Sequence, residues 1–259
     1  MDLWLRDQRR GVEQRFTTHV SVNAYPFWAP KGDRIVFLSE RSGVADLYQR
    51  ASNGSGLDEL LLATPNNKIP TQWSRDGRFI VYYEIDPKTK QDIWVLRMDG
   101  AAQAKPVPFL RSEFNEFQGQ LSLDSRWMAY TSDESGQNEV YVRPFPAADG
   151  QWKISLSGGE QPRWRYEGKE LFFKAADGMM MALKLKAGVP SGTELSSALE
   201  PGQPEALFET HSAEYAHWPG FEYDVTRDGK RFLVDTQGAG SASPALLNVV
   251  VNWDAGRKD

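Results

Sequence analysis

Five segments of this chain carry one pattern, and that repetition constrains the fold more than any other feature. The copies are PFWAPKGDRIVF (26–37), TQWSRDGRFIVY (71–82), GQLSLDSRWMAY (119–130), PRWRYEGKELFF (162–173) and YDVTRDGKRFLV (223–234). Their turn positions are Gly32, Gly77, Ser125, Gly168 and Gly229, at intervals of 45, 48, 43 and 61 residues. A Gly/Pro/Ser-rich insert at about 187–203 lengthens the last interval. Repetition at this period means that each unit buries its faces against its neighbours, not by itself.

Each copy follows the same physical logic. Four residues before the turn stands a large apolar side chain: Trp28, Trp73, Leu121, Trp164 or Val225. In three copies an aspartate, Asp76, Asp124 or Asp228, immediately precedes the turn residue. Its carboxylate bonds nearby backbone, while glycine accepts positive φ, so the pair favours a hairpin. An apolar strand follows, and runs apolar on both faces suit a sheet packed between sheets. About fourteen residues after the turn come Asp46-Leu47-Tyr48, Asp92-Ile93-Trp94 and Glu139-Val140-Tyr141, read as third strands. Segments 59–63, 106–110, 152–156 and 205–209 supply fourth strands. Four antiparallel strands per unit, repeated radially, define an all-β fold: a β-propeller of four-stranded blades. A β-sandwich has no reason to repeat such a unit at near-constant spacing.

The 259 residues form one propeller domain, 1–259, with the insert as an excursion. DLWL (2–5) matches the third-strand pattern and EQRFT (13–17) the fourth, so the chain opens on half a blade. LNVVVNW (247–253) is expected to be the third strand of the fifth copy. Five repeats plus an N-terminal half-blade give six radial positions, one incomplete; the alternative is a five-bladed ring. The half-blade either clasps the ring or belongs to a longer propeller.

The motif P-x-W-S-P-D-G-x-x-I-x-F, then S-x-x-S-G-x-x-D-L-Y, marks the repeat, and residues 26–48 and 70–94 resemble it best. This is the repeat of the TolB-like, WD-related six-bladed propellers, and the resemblance covers nearly the whole chain. The runs DPKTKQDIWVL, KPVPFLRSEFNEFQGQLSLDSRWMAYTSDESGQNEVYVRPFP and YDVTRDGKRFLV, with a closing VVVNW, also resemble the C-terminal propeller of large bacterial serine/threonine protein kinases. That resemblance implies an exported sensor domain, periplasmic or extracytoplasmic, behind a kinase and a membrane helix. Kinase motifs are missing from these residues, and the N-terminal MDLWLRDQRR has no apolar core of a signal peptide. Without such a parent the chain is expected in the cytoplasm.

Several chemistries are weighed and set aside. The net charge of −5 and the absence of a Lys/Arg cluster argue against nucleic acid. No apolar stretch is long enough to span a membrane, so no membrane insertion by this chain is expected. With no cysteine, thiolate catalysis and cysteine-ligated metals are excluded. SRDG (74–77) lacks the residue between Asp and Gly that a sialidase Asp box needs, and reads as a turn. NGS (53–55) reads as an Asn-Gly turn instead of a glycosylation acceptor. No G-x-S-x-G nucleophile elbow is present. His211, Glu214 and His217 match no metal or acid–base spacing and read as a polar loop. The recurring acids Asp46, Asp92 and Glu139 read as structural, bonded to loop backbone amides. No cofactor, metal or catalytic residue is therefore assigned.

Recognition remains. The loops entering the first strands (18–27, 64–72, 111–120, 157–163 and 211–223) gather on one face. They hold Tyr25, Phe114, Phe117, Gln118, Gln161, Tyr215, His217 and Trp218, with Arg163 beside them. Aromatic and Arg side chains are the usual interface anchors. The expectation is a non-catalytic module that binds a protein, peptide or glycan at this face. The alternative for Tyr25 and Phe117 is packing between blades; separately, the alternative function is a propeller enzyme or a propeller fragment of a multidomain hydrolase.

Overall fold

The computed structural model describes residues 1–7, 9–99, 105–146, 150–165, 168–187, 199–211, 220–235 and 248–250. Those residues form strands and turns, with no α-helix among them. An N-terminal pair, β1 (Trp4–Arg6) and β2 (Glu13–Arg15), precedes five units. Blade I is β3 (Asn23–Trp28), β4 (Arg34–Ser39), β5 (Asp46–Ala51) and β6 (Glu59–Leu62). Blade II is β7 (Asn67–Trp73), β8 (Phe79–Asp86), β9 (Lys90–Arg97) and β10 (Pro106–Leu110). Blade III is β11 (Glu116–Leu121), β12 (Trp127–Ser132), β13 (Glu139–Pro144) and β14 (Trp152–Lys153). Blade IV is β15 (Gly159–Trp164), β16 (Glu170–Ala175) and β17 (Met179–Ala187), with β18 (Leu199–Pro201) and β19 (Glu205–Glu209) sharing the outer edge of β17. Blade V contributes β20 (Tyr223–Val225) and β21 (Phe232–Val234), and β22 (Asn248–Val250) ends the described chain. Pairing inside each blade is antiparallel. This is the β-propeller plan expected from the repeat.

The turn chemistry recurs in all five units. Gly32, Gly77, Ser125, Gly168 and Gly229 have φ of 69°, 76°, 53°, 68° and 69°. Each donates its N–H to the carbonyl three residues back, at 2.8–2.9 Å. Where aspartate precedes the turn residue, its Oδ1 accepts from the hydroxyl two residues earlier and the amide two residues later, as Asp76 does from Ser74 and Arg78 at 2.7 and 3.0 Å. Asp124 and Asp228 repeat the arrangement.

Seams between neighbouring sheets hold the core. Leu3, Leu5 and Phe16 of the N-terminal pair pack on Ile35, Phe37 and Tyr48 of blade I. Val36, Leu47 and Leu62 meet Ile80, Tyr82 and Leu96 between blades I and II. Val81, Ile93 and Val95 meet Met128, Tyr130 and Tyr141 between II and III. Val140 and Ile154 meet Phe173 and Leu183 between III and IV, and Phe172 and Met180 meet Tyr223 between IV and V. Backbone bonds repeat across the seams as well. Asn23, Lys68 and Gly159, each five residues before its strand's Trp, donate to the carbonyls of Met1, Ala45 and Asn138 at 2.9–3.0 Å.

Two expectations need correction. Residues 248–250 do not continue the fifth unit; β22 pairs with β1, in parallel register Trp4↔Asn248 to Arg6↔Val250. The half-blade thus draws its inner neighbour from the chain's far end. Residues 199–201 of the expected insert loop form a strand, extending the ladder along Leu185–Ala187. The rest of that insert, 188–198, lies outside the described residues.

Candidate binding face

The first strands lie innermost, because they bond directly to one another. Thr71 Oγ1 donates to the Gly119 carbonyl at 2.7 Å, and Gln120 Nε2 to the Thr71 carbonyl at 2.8 Å. Each described first strand of blades I–IV also carries a one-residue bulge at the same place. The bulge bends the strand and re-aims a side chain. In blades I, III and IV the residue three before the Trp position has left-handed backbone: Tyr25 (φ 51°), Gln118 (φ 56°) and Gln161 (φ 60°). Blade II has Pro70 there, whose ring forbids positive φ, and the register shift falls between Pro70 and Gln72.

Three sequence candidates are thus one structural position. Gln118 and Gln161 are buried and act as latches, not as exposed loop groups. Gln118 Oε1 accepts from Thr131 Oγ1 and from the Gln161 amide, both at 2.8 Å, while its Nε2 donates to the Gly220 carbonyl at 3.1 Å. Gln161 Oε1 accepts from the Glu222 amide and its carbonyl from Tyr223 Oη, both at 2.7 Å. Blades III, IV and V are strung on this relay. Tyr25 and Phe117 join Leu38, Ala45, Ile69 and Tyr83 in a cluster bridging blades I to III, with Phe117 edge-on to Tyr83 at 6.2 Å. Burial, and then the Glu40 charge, raise the Tyr25 hydroxyl well above its usual range. Phe114 stays half-buried on the loop into blade III. Arg163 lies 3.9 Å over the Phe221 ring and 3.9 Å from Asp224. Tyr215, His217 and Trp218 lie outside the described residues, as does Glu214.

The recurring acids are structural, with partners broader than backbone amides. Asp46 accepts from Ser42 Oγ at 2.6 Å and pairs at 2.9 Å with Lys68, which is fully buried. Asp92 accepts from Thr89 Oγ1 at 2.5 Å and from the Ser112 amide. Glu139 accepts from Ser155 Oγ, Gln137 Nε2 and the Gly158 amide, and pairs with Lys153 at 2.9 Å. Each acid anchors a third strand to the approach of the next blade.

Sequence reasoning missed other groups on this face. Glu160, Lys174 and Glu222 form a chain across blades IV and V, at 4.0 and 2.5 Å. Val20 and Leu156 stand 95% and 66% exposed in or beside the first-strand entry loops, where those loops' positions were the available signal. Glu116 opens β11; burial, then the charges of Asp92 and Glu134, push its carboxyl up to about 7 against the Ser112 hydrogen bond and Arg143. Burial likewise raises Asp92 and Glu160. Glu116 and Asp92 are only 4% and 1% exposed. Among the described residues no group of three or more His, Asp or Glu is placed to hold a metal, and no helix is long and apolar enough to cross a membrane.

No protein-family model matches the chain, and no curated protein matches it. Solved structures do. A TolB structure from Agrobacterium tumefaciens superposes with a TM-score of 0.59 at 17% identity, over 76% of this chain and 70% of that one. TolB from Acinetobacter baumannii gives 0.58 at 14%, over 91% of this chain and 60% of that one. A puromycin-hydrolyzing peptidase from Mycobacterium tuberculosis gives 0.58 at 13%, over 84% of this chain but only 37% of that one. At such identities the likeness is one of fold: this chain has the β-propeller fold that these TolB and peptidase structures share.

Proposed function

We propose that the chain is a non-catalytic recognition module, binding a protein or peptide on the face where each fourth strand hands over to the next first strand. The observation that carries this is the contrast on that face between tied-down acids and free apolar surface. Asp46, Asp92 and Glu139 are buried in structural bonds, whereas Val20 and Leu156, in and beside the loops that enter blades I and IV, are open to solvent. Aliphatic groups gain by burial against apolar side chains, which a polypeptide supplies. The resemblance to kinase C-terminal propellers adds a finer reading, an extracytoplasmic sensor domain of a serine/threonine kinase.

A catalytic reading draws on Glu116 and Asp92, two neighbouring carboxyls both raised by burial. Their burial weighs against it. Panning a displayed peptide library against the chain tests both. Binders that lose affinity to Leu156→Asp and Arg163→Ala support the proposed face. Binders indifferent to both changes, or hydrolysis of glycoside or peptide substrates abolished by Glu116→Gln, overturn it.

A further inference from the structure

The two ends of the blades carry opposite charge. Antiparallel strands put the first-to-second turns at one end of each blade and the second-to-third connections at the other. The first-to-second turns are 29–34, 74–79, 122–127, 165–170 and 226–231. In sequence they hold ten Lys and Arg against six Asp and Glu, an excess of +4. The second-to-third connections of blades I–IV, 39–46, 84–92, 132–139 and 174–179, hold four Lys and Arg against nine Asp and Glu, which is −5. The turn end is thus positive on a chain whose net charge is −5. Pairing inside a turn, as between Arg78 and Asp76 at 2.7 Å, leaves that excess standing. The third-to-fourth connections of blades I and II at the same end are neutral between them: Arg50, Arg97 and Lys105 against Asp58, Glu59 and Asp99.

These charges sit on one level face. All five turns have the same length and the same closing bond, so their tips end together. Neighbouring turns also touch. Ser125 Oγ donates to Asp76 Oδ2 at 3.3 Å, and a Cβ on Gly229 would come 3.0 Å from Arg165 Nε. Lys31, Arg75, Arg126, Lys169, Arg227 and Lys230 are exposed around the rim, in all five blades. Leu57, 86% exposed, stands at the same end, on the connection whose Ser52 donates to the carbonyls of Gly32 and Asp33 at 2.7 and 2.9 Å. The acidic end is too far away to cancel this field. An eight-residue strand such as β8 spans about 26 Å, whereas charges are screened over about 10 Å at 0.1 M salt.

We infer that the turn end is a docking face for an anionic lipid surface, which it meets flat, without insertion. The occupant is a bilayer because the cations circle the whole face, where a bound polypeptide or nucleic acid rod would use one stripe of it. A headgroup layer also accepts an exposed aliphatic such as Leu57, which a phosphodiester backbone does not. Docked in this way, the chain turns its entry loops away from the lipid, free for the recognition proposed above.

The probe is a vesicle of phosphatidylglycerol and phosphatidylcholine in equal parts, with pure phosphatidylcholine as control. At 0.1 M salt the chain is expected to sediment with the first and not the second, and to be released at 0.5 M. Lys169→Ala with Lys230→Ala should weaken binding about 25-fold, about fivefold per lysine. Lys88→Ala with Lys90→Ala, the same loss of charge at the opposite end, should leave it nearly unchanged. In lysine acetylation on vesicles, Lys31, Lys169 and Lys230 should be protected while Lys88 and Lys90 react, a readout that needs no variant. No sedimentation with the anionic vesicles, or equal sedimentation with both kinds, overturns the inference. Equal weakening by the two double variants, or protection at Lys88 and Lys90 instead, overturns the choice of face. Tighter binding to duplex DNA or polyglutamate than to the vesicles overturns lipid as the occupant.

Discussion

The seam between blades II and III and the seam between the N-terminal pair and blade I are built from the same repeat but finished differently. At II–III every layer is tied. Gln72 exchanges bonds with Leu121, its Nε2 donating to the carbonyl at 3.1 Å and its Oε1 accepting from the amide at 2.6 Å. Thr71 and Gln120 complete the inner ladder, and a Cβ on Gly119 would come 3.0 Å from Val81 Cγ1. At the N-terminal seam the outer layers match: Leu3, Leu5 and Phe16 are buried and the third-strand hydroxyl bond is present. Among the described residues the inner edge of β1 pairs in parallel with β22 over Trp4–Arg6, and the buried Trp28 Nε1 of blade I has no partner. The outer layer of the N-terminal seam thus packs as a full seam does, while the cross-seam bonds of the inner layer at II–III come from two adjoining first strands.

The largest expected separation between the seams comes from truncating one leucine in each. Leu121→Ala and Leu3→Ala remove equally buried side chains, both 1% exposed. Leu121→Ala should lower global stability in urea by about 2–5 kcal/mol. Leu3→Ala should shift the global midpoint less and instead speed exchange at β1 and β2, because a terminal half-blade can open locally. Equal global losses would mean that the N-terminal pair is as cooperative as a full blade.

Glu116, at the closed seam, gives the next effect. Its folded-state carboxyl is raised above the ordinary value of 4.5 to about 7, so the folded chain holds the proton more tightly than the unfolded chain. That contribution is full below about pH 4.5 and is lost as pH rises through about 7, amounting to roughly 3 kcal/mol at most. Thermal melts from pH 5 to 8 should fall for the native chain and flatten for Glu116→Gln. An unchanged slope would place the titrating group elsewhere.

A smaller contrast isolates a single hydrogen bond. Trp164→Phe and Trp28→Phe make the same change in volume, but only the first breaks a bond, to the Gln120 carbonyl. Trp164→Phe should therefore cost about 1 kcal/mol more in unfolding free energy. Smallest of all is Glu59→Gln, which removes the exposed pair with Arg34 at 2.8 Å and should change stability by less than about 1 kcal/mol.

Much of the fold was legible because turns and apolar periodicity act locally. Asp76 and Gly77 announce their hairpin in two letters, and the bonds they make are the expected ones. DLWL betrayed a third strand before any first strand had appeared. The first-strand bulges were not legible, since Tyr25, Gln118 and Gln161 take left-handed backbone that no local preference requests. Two glutamines read as surface groups are buried because neighbouring blades supply their partners, a fact set by tertiary packing alone. Their shared offset from the Trp position was a usable signal. The pairing of β22 with β1 is likewise non-local; the third-strand expectation for 247–253 was a statement about sequence neighbours. On the candidate face, Arg163 and Phe114 were in view from the loops, while Glu160, Lys174 and Glu222 converge only once two blades meet.

The amide-to-carbonyl bonds from Asn23, Lys68 and Gly159 across their seams join three unlike residues to three other unlike residues. Because both atoms of each bond belong to the main chain, side-chain drift leaves this wiring intact. A lineage can then rewrite nearly every loop while its blades stay in step, so such propellers can change partners far faster than they change shape.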